Sequence, residues 1–210
     1  MRPSAVTALL VALVCVPTQH LRAATNPKPT SRAALPTNPA VAESIPDLLA
    51  DGCAVAADRC WHQGDYVGVA FFNAMVVALD PSDVDAWSNY AWITWAGLYK
   101  DAEALSILRR GVRANPNRYE LYAELGAELQ RQKRYKESEE TFAKALRFSP
   151  PPLVWNQYAH AIEKGGDPER AASVWREMLR RFPDWPLSQV NLDRLRRHGL
   201  IRESTPTTSG

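Results

Sequence analysis

Cysteine is scarce in this chain of 210 residues: there are three, with four histidines. Cys15 falls in the apolar start, which leaves Cys53 and Cys60. Two thiols alone do not make a metal site, because a structural zinc takes four ligands. Nor do they make an obvious disulfide. Seven residues of α-helix rise about 10.5 Å, and a disulfide needs Cα atoms within about 7 Å. Both cysteines therefore read as thiols on the packing side of a helix, and a bond between them would require a break near Gly52. Long apolar runs are also missing. The longest, Ala5 to Val16, has 12 residues, too few to span a bilayer. No GxSxG, Walker loop or HExxH occurs, so no catalytic residue, metal or cofactor is assigned. An excess of one charge is lacking too. Residues 1–24 hold Arg2 and Arg22 and no acid, and the remainder has 23 basic and 23 acidic residues. That balance gives no argument for nucleic acid as a partner.

What is present is a period. Pro81, Pro116, Pro150 and Pro183 stand 35, 34 and 33 residues apart. A fixed period near 34 marks an array of helix–turn–helix units. Between Pro116 and Pro150 the pattern is clearest. Tyr122, Leu125, Gly126 and Leu129 have helical spacing and form one apolar stripe. Lys133 and Arg134 make a turn. Phe142 and Ala145 then pack a second helix back on the first, with Gly126 small where the two approach. The next unit has Trp155, Tyr158, Ala159 and Ile162, the turn Gly165-Gly166-Asp167, then Ala171 and Trp175. The preceding unit has Trp87, Tyr90, Ala91 and Thr94, then Ala104, Leu108 and Gly111, with its extra residue in the turn near Gly97. The first unit is blurred: Cys53, Ala56, Ala57 and Cys60, then Gly64-Asp65-Tyr66 and Val69.

These residues resemble the tetratricopeptide repeat (TPR), W-x-x-L-G-x-x-Y, then A-x-x-x-F, then P. The likeness covers residues 50–183. It implies an all-α fold, an α-solenoid of four TPR repeats at about 50–83, 84–118, 119–151 and 152–184, plus a capping helix at 185–198. It also implies a non-enzymatic scaffold, with the first helix of each pair lining a concave side. Removing the packing stripe from those helices leaves the groove candidates Asp58, Trp61 and His62, then Asp85, Asn89, Trp92 and Trp95, then Glu120 and Glu124, then Asn156 and His160. Trp92 and Trp95 exceed what packing needs in a helix that already has Trp87, and such indoles mark recognition. Asp58 and His62, one turn apart, read as a surface ion pair. Some members of the family clamp C-terminal carboxylates with Lys, Asn and Arg. Asn89 fits one such place, but Ala54, Glu120 and Glu124 stand where the clamp wants cations, which disfavours that mechanism.

The expected partner is a protein or peptide segment carrying Lys or Arg with apolar residues. Two alternatives stay open: sugar binding, with indole faces against sugar rings and hydroxyls at Asp85, Asn89, Asn156 and Gln157, or an auxiliary role in an envelope assembly or secretion complex. Self-association is a further expectation, because residues 46–128 hold 12 acids and 6 bases while residues 164–202 hold 9 bases and 5 acids. At the ends, residues 1–24 read as a secretory signal, residues 25–45 as a Pro-rich tether and residues 200–210 as a polar tail. The chain is thus expected to be exported, to the periplasm or beyond, with no integral membrane segment once the signal is removed; a lipid anchor on Cys15 is disfavoured because Val14 stands where such sites want a small residue.

Overall fold

The computed structural model describes residues 39–202, with side chains from residue 45 onward. The expected signal, most of the tether and the last part of the tail lie outside the described residues. Those described form nine α-helices and one 3-10 helix, with no strand among them. The first pair is α1 (Pro39–His62) and α2 (Tyr66–Leu79); the second is α3 (Val84–Ala96) and α4 (Asp101–Ala114). The third is α5 (Tyr119–Arg131) and α6 (Tyr135–Ala145), extended by the 3-10 turn Leu146–Phe148. The fourth is α7 (Pro152–Lys164) and α8 (Pro168–Arg181), and α9 (Leu187–Arg197) closes the array. Each helix packs on the next, and first helices also meet across pairs. This is an all-α solenoid of four repeats with a cap.

Three devices set the period. At the turn inside each pair one residue takes positive φ: Gly64, Tyr99, Lys133 and Gly166. Glycine is free to adopt this conformation and other residues are strained in it, so Tyr99 and Lys133 are held there by the helices either side. In the second pair the turn has four residues, Gly97 to Lys100, against three elsewhere, which is where the extra residue lies. Asp65, Asp83 and Asp167 accept from the backbone N–H three residues on, at 2.9, 2.8 and 3.0 Å, and so start α2, α3 and α8. The prolines between pairs offer their carbonyls. Pro81 accepts from Trp87 Nε1 at 3.0 Å and from Asn115 Nδ2 at 2.8 Å, and Pro116 accepts from Tyr122 at 3.0 Å. Asn115, just past α4, thereby ties the end of the second pair to the link that precedes α3, 34 residues away.

The core runs through the fourth and eighth residues of each second helix. The fourth residues are Val69, Ala104, Ser138 and Ala171, all buried. The eighth are Asn73, Leu108, Phe142 and Trp175, all buried. A Cβ built on Gly126 would lie 3.0 Å from three atoms of the Phe142 ring, so any larger residue would have to push the ring aside at this crossing. Ser138 donates to the Gly126 carbonyl at 2.7 Å and locks the same crossing.

Two boundaries differ from the sequence reading. α1 begins at Pro39, inside the segment that composition assigns to a tether, and continues through Pro46. Proline needs no donor in a first helical turn, and the following alanines and Glu43 favour helix. At the other end Ile201 is buried against Leu192 and Leu195, one residue into the assigned tail. Cys53 and Cys60 are both free and half-buried.

Phe142→Ala should destabilise the array by about 3–5 kcal/mol, as large-to-small core changes do. Urea denaturation followed by circular dichroism checks this, and a midpoint equal to wild type would refute the assigned register.

Candidate functional site

The first three pairs form a groove whose walls are aromatic. α1 contributes Asp58 and Trp61, α3 contributes Ser88, Asn89, Trp92 and Trp95, and α5 contributes Glu124 and Ala127. Two neighbouring features stand out. One is a cavity of about 320 Å³ lined by Ala54, Ala57, Asp58, Trp61, Val69, Asn73, Asn89 and Trp92. The other, of about 150 Å³, lies between Trp92, Trp95, Glu124 and Arg131. Trp92 is shared by both. Its ring centroid is 5.4 Å from that of Trp61, with the planes tilted by 57°, and Trp61 in turn meets Tyr66 at 5.8 Å. Trp61 and Trp92 each leave more than two-fifths of their surface open.

The larger cavity has a cause in the sequence. In repeats two to four the eighth residue of the second helix is Leu108, Phe142 or Trp175. In the first repeat it is Asn73, whose amide turns back to the Val69 carbonyl at 2.9 Å. Cys53 stands where Trp87, Tyr122 and Trp155 stand in the others. The first pair is under-filled, and the space opens toward the groove.

The electrostatics are mixed. Arg131 stacks its guanidinium over Trp95, 4.4 Å from the ring centroid, a cation–π contact. It also bonds Glu128 and Asp101, each at 2.5 Å at the nearest. Glu124 has no partner of this kind. Partial loss of water beside the indoles and Ala127 pushes its carboxyl above the usual range, although the residue remains exposed. Glu120 is satisfied by a two-pronged bond from Arg118 at 3.2 and 3.1 Å, which holds its carboxyl below the usual range. Asp58 and His62 are 3.6 Å apart and fully in solvent, an ordinary surface pair. Asp85 is exposed at the start of α3.

The fourth pair behaves differently. Asn156, a candidate by helical position, is buried. Its Oδ1 accepts from Trp175 Nε1 at 3.0 Å and from Asn191 Nδ2 at 3.1 Å. His160 lies edge-on to Trp175 with centroids 5.1 Å apart, and its Nδ1 is 3.3 Å from Glu163. Burial lowers its pKa. Glu163 takes both prongs of Arg194 at 2.7 Å. α9 therefore docks on Asn156 and Glu163, His160 packs between Trp175 and Glu163, and neither Asn156 nor His160 joins the aromatic groove. Arg131 and Asn73 were not among the sequence candidates. Asn73 was legible as a polar residue in a slot filled by large apolar side chains in the other repeats. Arg131 carried no sequence sign.

Among the described residues no group of three or more His, Cys, Asp or Glu is arranged for a metal ion. Among them also, no helix is long and apolar enough to cross a membrane.

No family model matches the sequence, and no curated protein matches it. Solved structures match in fold. MamA from Desulfovibrio magneticus RS-1 is similar with a TM-score of 0.59 at 14% identity, over 72% of this chain and 85% of that one. PilF of Pseudomonas aeruginosa is similar with a TM-score of 0.59 at 18% identity, over 74% of this chain and 71% of that one. YrrB, described as a TPR protein with an unusual peptide-binding site, has a TM-score of 0.56 at 17% identity, over 81% of this chain and 87% of that one. At such identities the likeness shows the fold, that of TPR proteins.

Two predictions test this assignment of roles. Glu124 binds its proton more tightly in the native state than in the unfolded chain. Its contribution therefore lowers stability as pH rises from the ordinary carboxylate range through the raised native value. Glu124→Gln should melt higher than wild type at pH 7 and equal to it near pH 4, by differential scanning calorimetry. A variant that melts lower at pH 7 would show that the carboxylate is paired. Asn156→Ala leaves the buried Trp175 Nε1–H without an acceptor and removes one of the two acceptors of Asn191 Nδ2, and should cost about 1–3 kcal/mol. Its amide exchange should rise in α8 and α9 and stay unchanged in α3; exchange spread evenly over all helices would refute a local docking role.

Proposed function

We propose that this protein is a non-enzymatic scaffold that holds a protein segment in the groove of its first three repeats. TPR folds serve in general as protein-interaction modules, and one similar structure is described by its peptide-binding site. The observation that carries the reading is Arg131 lying on Trp95 beside Glu124. The groove already holds one guanidinium on one indole. Trp92 and Trp61 offer more open aromatic surface next door, with Asp58 and Glu124 at its sides. A segment bearing Lys or Arg between apolar residues fits this chemistry: the cation lies on an indole and the apolar side chain enters the cavity that Asn73 leaves open. A cation beside Glu124 would also draw its carboxyl back toward the ionised form. The sugar reading loses a residue it needs, since the Asn156 oxygen already accepts two hydrogen bonds inside the array.

Aromatic anchors dominate such interfaces, and rim charges tune rate and salt dependence. Peptides selected from a display library against the purified full chain supply the ligand. Trp92→Ala should weaken the selected peptide at least tenfold, about 1.4 kcal/mol, with unchanged helicity. Glu124→Ala should act mainly at low salt. Selection of peptides without Lys or Arg, or a Trp92 variant that folds and binds like wild type, refutes the reading. Binding of oligosaccharides in place of peptides would favour the sugar alternative.

Export belongs to the same proposal. Arg2 and the apolar run Ala5–Val16 have the form of a secretory signal. N-terminal sequencing of the protein from its native cells should find a start after about residue 20; an intact Met1 in the cytosol refutes it.

A further inference from the structure

Inside the array every first helix lays one side on the second helix before it. The residues that do so are Ala86 and Ile93 in α3, Leu121 and Glu128 in α5, Val154 and Ala161 in α7, and Ser188 and Leu195 in α9, all buried. At the same phase α1 has Gly52 and Arg59, with no helix before them among the described residues. Ile45, Leu48 and Val55 continue that stripe, and Leu48 and Val55 are 67% and 61% exposed.

The outward side of α2 is apolar as well. Its second, sixth and tenth residues are Val67, Phe71 and Met75, with Val67 67% and Phe71 58% exposed. The same three positions are Ala102, Ser106 and Arg110 in α4. They are Lys136, Glu140 and Lys144 in α6, and Glu169, Ser173 and Glu177 in α8. The fold therefore does not require an apolar residue at any of them. These positions are exposed in the other pairs too, apart from half-buried Glu177, so the α2 row lies on the flank of the first pair and adds to its exposed apolar surface, which marks a contact surface.

The other end is complementary in charge and apolar in part. Residues 45–80 hold five acids and one base, whereas residues 168–202 hold eight bases and four acids. Leu187 and Val190 of α9 and Leu200 after it are exposed. Asp47 and Asp51 on α1 make no ion pair or side-chain hydrogen bond among the described residues, and Arg197 on α9 has no carboxylate partner there. α9 itself stands where a fifth first helix would stand, so the array ends with half a repeat.

We propose that the α1–α2 end of one copy docks on the α9 end of a second copy. The contact joins two different surfaces, so it leaves one free end on each side and builds an open filament or a closed ring. Attraction between the acidic and basic ends weakens as salt rises, while the apolar stripes supply the part that salt does not screen.

Sedimentation velocity on the purified full chain tests this. Mass should grow past the dimer as concentration rises, and shift to smaller species in 0.5 M salt. Val55→Lys blocks the first end, and Val190→Asp blocks the last; both sites are exposed, and circular dichroism checks the fold. Each variant alone should stay monomeric over at least a tenfold wider concentration range than wild type. Mixed in equal amounts they should form a dimer and nothing larger, because one good end remains on each. A wild type that is monomeric throughout would overturn the proposal. So would a Val190 variant that still dimerises by itself, since the first ends would then pair with each other. Two variants that assemble like wild type would overturn it equally.

Discussion

Each repeat depends on one steric fit: a large side chain at the eighth place of the second helix, set against a small residue on the first. Phe142 against Gly126 is the tightest case, with ring atoms 3.0 Å from where a Cβ would be. Trp87 uses the same close approach from the other helix, against Gly111 at 3.0 Å. A well-filled crossing leaves no space for anything else. The first repeat breaks the rule, with Asn73 in the large slot and Cys53 where an aromatic would be. Its cavity is the direct result. Trp61 and Trp92 lean over that cavity because the core beneath them does not fill it.

The period, the helix pairs, the extra turn residue and the cap were legible because they rest on local rules: spacing, proline, glycine and helix start signals. Groove residues near the start of the array were legible for a related reason. Once Trp87, Tyr90 and Ala91 occupy the inward side of α3, Trp92 and Trp95 have only the groove left. The same subtraction failed at α7. Asn156 and His160 also lie off the apolar stripe of α7, but both meet Trp175 of α8 and Asn156 also takes a bond from Asn191 of α9, and no helical wheel of α7 contains either partner. Contacts between neighbouring repeats are long-range facts. Arg131 on Trp95 is another such fact: it joins the end of α5 to the end of α3 across a distance in sequence that periodicity does not address.

The start of α1 misleads for the opposite reason. Proline usually ends or excludes a helix, so residues 25–45, with Pro27, Pro29, Pro36 and Pro39, read as a tether. Pro39 sits at the one helical position where the missing N–H costs nothing, and Pro46 lies where the lost bond would join α1 to its own first turns. The bonds forgone at that end of α1 are few, and the rest of the helix is held by α2.

Repeat arrays gain stability mainly from contact between neighbours, so a terminal repeat has half the support of an inner one. The last end meets this with α9, which buries Leu192 and Leu195 and ties Arg194 to Glu163. The first end has no such helix before it among the described residues, and its own core is the least filled. Apolar side chains that could have packed inward stand outward instead, at Leu48, Val55, Val67 and Phe71. In water alone such a stripe contributes nothing to folding and lowers solubility. It contributes only when something covers it. The inner face of this pair opens toward the groove and its outer face lies bare, so the pair least stabilised by its own packing has the most to gain from a partner on either side.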